Sequence, residues 1–202
     1  LGGWQLFQLE ELKKEKFKSF KRIKYNEIIA ETYNYQIFDN FEQILEFIID
    51  YKNNFFLKYK DNELLNTYTI DEIMIIGSLI EKEGKSDQDK RLISSVIFNR
   101  LEKNMKLQID ATTIFSITKG EFKLDRKLNY NDLKIKDKFN TYYIQGLPPE
   151  PICYVSRKTI EIIFENYKSN FFFYFFDEKN QKHVFSEKYK KHRKLLNEYR
   201  KN

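Results

Sequence analysis

Two carboxylates close the run Gly77-Ser78-Leu79-Ile80-Glu81-Lys82-Glu83-Gly84. A carboxyl group held at the end of a buried helix is suited to glycosidic bond cleavage, where a retained proton serves as general acid. Helical side chains lean back over the residue four earlier, which stacks Glu81 over Gly77 and Glu83 over Leu79. Vacant space is therefore expected beside Glu81 alone. Glu81 also falls on the side of Ile73, Met74 and Gly77, near the negative end of the helix dipole. Burial and dipole both disfavour its ionised form and predict a raised pKa. The competing reading is a solvated last-turn glutamate paired with Lys85.

Three further groups carry polar chemistry. Asn99 shares the inward helical face of Leu92 and Val96 and must find partners there. In Met105-Lys106-Leu107-Gln108-Ile109-Asp110, Gln108 and Asp110 are expected on one cleft, although Asp110 also suits the N-cap of a short segment over Ile114 to Ile117. Asn140-Thr141-Tyr142 precedes Gly146-Leu147-Pro148-Pro149, and amides, hydroxyls and an aromatic face are common fittings of a sugar groove. His183 and His192 stand nine residues apart without cysteines or paired carboxylates at zinc spacing, so no metal is expected. His183 reads either as a substrate-orienting group or as a hydrogen-bonded histidine of a small sheet. Cys153 is the single cysteine, which excludes an internal disulfide and suits a small buried group better than a nucleophile. No P-loop, Rossmann glycine pattern, Gly-x-Ser-x-Gly or His-Glu-x-x-His occurs.

The elements that must position these groups are legible from periodicity. Phe41, Ile44, Leu45, Ile48, Ile49, Phe55 and Phe56 form one stripe of an amphipathic helix. Thr69 with Glu72 makes a capping box, so a helix begins at Ile70, carries Ile73, Met74, Ile76 and Ile80 inward, and ends at Gly84. The next helix runs from about Gln88 to Lys103 and stops at Asn104, which tolerates a left-handed conformation. Ile160, Ile163, Phe164 and Tyr167 mark another helix. Phe171 to Phe176 and His183 to Phe185 read as strands joined by a polar turn, and a basic helix from Glu187 closes the chain. The expected class is α+β, helix-rich with a small late β-sheet.

The 202 residues include 14 Tyr, 19 Phe and 1 Trp, enough to fill a sizeable core. The longest apolar-aromatic run, Phe171 to Phe176, is far short of the roughly 20 residues of a bilayer-spanning helix. Thirty-six Lys and Arg against 30 Asp and Glu give a charge of +6, which favours polyanionic partners such as nucleic acid, anionic lipid or acidic wall polymer. No recognised nucleic-acid motif accompanies that charge, and nucleic acid is not an expected partner. Residues 1–25 form a Lys-rich stretch with thin apolar patterning, read as the tail of an upstream domain or an appended segment, with one compact domain over residues 26–202.

These pieces occur in a familiar order. Thr32-Tyr33-Asn34-Tyr35, Ser78-Leu79-Ile80-Glu81-Lys82-Glu83, Asn99-Arg100-Leu101, Met105 to Asp110, Asn140-Thr141-Tyr142, Gly146-Leu147-Pro148-Pro149-Glu150-Pro151-Ile152 and His183-Val184-Phe185-Ser186 with Lys191-His192 resemble the MltG (YceG-like) endolytic murein transglycosylase family from about Glu31 to the final helix. Departures are Asn104 and Glu150 where the family has Gly, Ala111 where it has Pro, Tyr154-Val155-Ser156 for Asn-Pro-Gly, and Arg193 for Asn. Glu150 adds negative charge beside the expected groove.

The resemblance implies a bacterial enzyme anchored in the cell membrane by an amino-terminal helix, with its catalytic domain on the extracytoplasmic side behind a LysM-like portion. On that reading residues 1–25 are a remnant of the LysM-like portion, and the chain is the catalytic region. The implied reaction cuts nascent glycan strands between N-acetylmuramic acid and N-acetylglucosamine and leaves a 1,6-anhydro end. Its catalytic glutamate is expected at Glu81. Asn99, Gln108, Asp110, Asn140, Thr141, Tyr142, Gly146, Pro148 and His183 are expected around the sugar. Peptidoglycan strands are the expected partner, with peptidoglycan synthases as candidate neighbours, and no cofactor is called for. Rival readings are a lysozyme-like muramidase and a non-catalytic glycan-binding or scaffolding module of the wall-synthesis machinery.

Overall fold

The computed structural model describes residues 23–34 and 40–201. Most of the segment 1–25, and Tyr35 of the first motif, lie outside the described residues.

Helix α1 (Phe41–Leu57) opens with a capping box between Asn40 and Gln43. Helix α2 (Ile70–Glu83) opens with the expected box, in which Thr69 accepts from the Glu72 N–H and Glu72 accepts from Thr69. Every residue from Ile73 to Ile80 is buried, so α2 is the central strut of the domain rather than an amphipathic surface helix. It packs against α3 (Asp87–Glu102), α4 (Asp110–Thr118), α5 (Arg157–Phe164) and the short strand β2 (Val155–Ser156). The core around it joins Ile73, Met74, Ile76 and Leu79 to Ile97, Ile160 and Ile163 from the neighbouring helices.

Several boundaries differ from expectation for local reasons. Helix α3 starts at Asp87, one residue before the expected Gln88, because Ser86 supplies the cap, accepting from the Asp89 N–H at 3.2 Å. It ends as expected at Asn104, which has φ 51°. Asp110 is not an N-cap: α4 begins at Asp110 itself, Ile109 occupies the cap position, and the Thr112 hydroxyl donates to the Ile109 carbonyl. Gly84 ends α2 in an extended conformation (φ −72°, ψ 130°) instead of a left-handed one. Helix α5 begins at Arg157, capped by Ser156, and stops before Tyr167.

Strand β1 (Ile29–Ala30) pairs in parallel with β2, a two-residue contact invisible to pattern reading. Strands β3 (Phe173–Asp177) and β4 (Lys182–Ser186) form the expected antiparallel hairpin, with Phe176 opposite His183. Its turn is tied by Asp177, which accepts from the Lys179 and Asn180 N–H groups. Helix α6 (Tyr189–Lys201) lies on this hairpin. The α+β class therefore holds, helix-rich first and with a small sheet late. Among the described residues no helix is long and apolar enough to cross a membrane.

Candidate active site

The two glutamates at the end of α2 enter different environments. Glu83 is the last residue of the helix and meets the first turn of α4, where its carboxylate accepts the Ala111 N–H. Burial, and then the charge of Asp110, push its pKa up to about 7, outweighing the Ala111 bond and Lys85. Asp110 is in turn fixed by the Tyr142 hydroxyl, which donates to Oδ1 at 2.6 Å. Burial and the nearby carboxylates of Asp110 and Glu83 push the Tyr142 phenol well up, and Tyr174 of β3 experiences the same influences. The Glu83 carboxyl, whose affinity for a proton is raised, thus lies together with the Asp110 side chain and the Tyr142 and Tyr174 phenols.

Arg100 supports this cluster from behind. Its guanidinium is buried and donates to the carbonyls of Phe172, Lys106 and Leu107 at 2.6, 3.1 and 2.6 Å. These bonds tie α3 both to the approach of β3 and to the segment leading into α4. His183 extends the arrangement: its Nδ1 lies 2.7 Å from Asp89 Oδ2, and its ring packs edge-on against Tyr174. Lys85, which faces Glu83, stands 5.5 Å from the Phe176 ring centroid.

Glu81 does not behave as the sequence suggests. The space above Gly77 is filled by β2 and α5: a Cβ at Gly77 would sit 2.6 Å from Val155 Cγ1 and 3.5 Å from Ile163 Cδ1. Instead of resting in a void, the Glu81 carboxylate accepts from Lys90 Nζ at 3.2 Å, from Ser156 Oγ at 3.0 Å and from the Thr159 hydroxyl. Burial works to raise its pKa, but the Thr159 bond, the Lys90 charge and bond, and the Ser156 bond together hold it below the ordinary carboxylate value. The expectation of a raised pKa at Glu81 is overturned because burial arrived with three donors. Cys153 lies beside this network, where burial pushes its thiol up to about 12, as suits a structural group.

The other expected residues separate into three sets. Gln108, exposed with φ 51°, leads into α4 next to Asp110, and Tyr142 joins them through its bond to Asp110. Asn99 spends its amide on the carbonyls of Ser169 and Phe171, both at 2.8 Å. Asn140 is 0% exposed, donating to the Leu133 and Ile135 carbonyls and accepting from Thr113 Oγ1 and the Tyr142 N–H. Thr141 is equally enclosed and bonds the Ile109 N–H and Thr112. Gly146 and Pro148 line a cavity of about 510 Å³ bordered by Tyr68, Glu72, Ile75 and Leu101, apart from both glutamates. Among the described residues no group of three His, Cys, Asp or Glu side chains is arranged to hold a metal ion.

Sequence reasoning passed over Glu83, Tyr174 and Arg100. A signal for Glu83 existed: it stands seven residues after Ile76 and four after Leu79, the spacing of an inward face. For Tyr174 no signal existed, because its approach depends on where the hairpin lands.

The sequence matches the YceG-like family over residues 3–198. The chain belongs to that family. This YceG-like chain is 33% identical over 158 residues to the endolytic murein transglycosylase of Bacillus subtilis (strain 168), covering 78% of this chain and 42% of that protein. It is 32% identical over 107 residues to the endolytic murein transglycosylase of Streptococcus pneumoniae (strain D39), covering 50% of this chain and 19% of that protein. Its fold is similar to that of a 2.6 Å crystal structure of a yceG-like protein from Listeria monocytogenes, with a TM-score of 0.70 at 30% identity over 84% of this chain and 54% of the other. The YceG-like chain thus spans about half or less of the length of these relatives.

Proposed function

We propose that this chain is the catalytic portion of an endolytic murein transglycosylase and that Glu83 is its general acid. The observation that carries this reading is the Glu83 carboxyl, pushed up to about 7 by burial and by Asp110 while one backbone N–H holds it in place. The names of the relatives support the substrate class, since those matched in Bacillus subtilis and Streptococcus pneumoniae are endolytic murein transglycosylases.

In the proposed reaction Glu83 gives its proton to the oxygen bridging N-acetylmuramic acid and N-acetylglucosamine. The C1–O bond breaks with oxocarbenium character at C1. The Glu83 carboxylate then takes the proton of the muramoyl C6 hydroxyl as O6 bonds to C1. The strand ends in a 1,6-anhydro sugar, no water is consumed, and Glu83 is protonated again. One group acting twice removes the need for the second carboxyl at fixed separation that inverting and retaining hydrolysis use. Asp110 keeps the proton on Glu83 between turnovers, and Gln108, Asp110 and Tyr142 are the proposed sugar contacts. Asn99, Asn140, Thr141 and His183 hold the groove from behind. The same proposal places the reaction on nascent strands at the extracytoplasmic face of a bacterial membrane, beside peptidoglycan synthases.

The test is digestion of purified glycan strands with the wild type and with Glu83→Gln, followed by mass analysis of the new ends. Anhydro ends, lighter by one water than hydrolysed ends, are expected from the wild type, with a loss of about 10²–10⁴-fold in Glu83→Gln. Equal yields from the two proteins overturn the assignment. Hydrolysed ends from the wild type would make the protein a muramidase.

A further inference from the structure

We propose that Glu81 and Lys90 form a positioning clamp that fixes the placement of Glu83 and, by pairing their charges, keeps net charge away from its carboxyl, without touching substrate. The inference rests on the reading of Glu83 as the acid. The network joins three helices at the points nearest the site. Glu81 is in the last turn of α2, Lys90 in the first turns of α3, and Thr159 in the first turn of α5, whose cap is Ser156. Lys90 Nζ bridges Glu81 Oε1 at 3.2 Å and Thr159 Oγ1 at 2.7 Å, while the Ser156 and Thr159 hydroxyls bond the other carboxylate oxygen. Every oxygen of Glu81 is committed inside the protein, and the pair is largely shielded, with side-chain exposures of 14% for Lys90 and 27% for Glu81.

Gly84 belongs to the same device. A Cβ at that position would run into the Cγ of Lys90, so the residue following Glu83 has no side chain because the lysine stem crosses it. Lys90 therefore fixes the backbone immediately after Glu83 as well as the turn immediately before it. Charge gives the clamp a second effect. Glu83 faces Asp110 and the Ala111 N–H of α4, Lys85 of the following loop, Tyr142, and Tyr174 of β3. Two residues from Glu83, an intact Lys90–Glu81 pair presents almost no net charge, and the affinity of Glu83 for its proton is left to Asp110 and burial. A broken pair presents a net charge of one sign or the other.

The test is titration of the Glu83 side-chain carboxyl carbon by NMR in the wild type, Glu81→Gln, Lys90→Met and the double variant. Glu81→Gln leaves a cation that favours ionised Glu83, and its midpoint should fall by about half a pH unit. Lys90→Met leaves an anion still bonded by Ser156 and Thr159, and the midpoint should rise by a similar amount. The double variant, which leaves no unpaired charge, should return close to the wild type. A role in packing alone would move the two single variants in the same direction or not at all, and either result overturns the inference. Should one single variant fail to fold, the sign in the other, set against the double variant, decides. Opposed midpoints in the two single variants, beside a wild type that yields no anhydro ends, would keep the clamp and reject the enzymatic reading, whereas anhydro ends with unmoved midpoints would reject the clamp alone.

Discussion

Glu83 at the end of α2 and Asp110 at the start of α4 face one another across a single backbone N–H, that of Ala111, which the Glu83 carboxylate accepts. Like charges this close do not both ionise freely. The consequence is that the half-buried Glu83 carboxyl holds its proton more tightly than an ordinary glutamate does.

Replacing Asp110 by Asn removes the repulsion while keeping the shape. The Glu83 pKa should then fall from about 7 toward the ordinary glutamate value. Since the proposed reaction needs protonated Glu83, the alkaline limb of the pH–rate profile should move to lower pH. A profile with an unchanged alkaline limb would argue against the pairing.

Stability should carry the same signature. The folded-state pKa of Glu83 is raised, so its contribution is fully present below the unfolded value and is lost as pH rises through about 7. Glu81 has a lowered folded-state pKa, and its contribution is lost in the opposite direction, as pH falls through that lowered value. Urea denaturation from pH 4 to 8 should show a decline that Glu83→Gln flattens, by roughly 3 kcal/mol across the window.

Gly77 is held by contact, not by backbone conformation. A methyl group there would lie 2.6 Å from Val155 Cγ1, and overpacking of this kind costs about 1–3 kcal/mol, set against about 1 kcal/mol of helix propensity that alanine gains over glycine. Gly77→Ala should therefore destabilise the wild type. In a Val155→Ala background the same change should stabilise, and a denaturation cycle over the four proteins measures it.

Asn140 separates support from recognition. All four of its side-chain hydrogen bonds are internal, so Asn140→Ala should destabilise by about 2–4 kcal/mol through the buried groups it strands. Strand affinity of the folded fraction should change little, whereas Gln108→Ala should weaken it with little effect on stability. Binding of a non-cleavable strand, measured beside urea midpoints, distinguishes the two residues.

Much of this fold was legible because its signals are local. The Thr69–Glu72 box, the left-handed stop at Asn104 and the polar turn of the hairpin each depend on residues within a few positions of one another. Polar residues near the site were legible as a set, but not their duties: Asn99, Asn140 and Thr141 proved to satisfy backbone groups and hydroxyls that a sequence does not place beside them.

By itself, the sequence determined that two glutamates close one buried helix, about 200° apart around its axis, and that this helix begins at a capping box and ends at a glycine. It did not determine which glutamate keeps a proton. That depended on what each face meets. One meets Lys90, Ser156 and Thr159, drawn from segments up to 78 residues away, and the other meets Asp110 and the first turn of α4. A carboxyl pKa is the balance of desolvation against donors and charges within a few ångströms, and only tertiary packing assembles those neighbours.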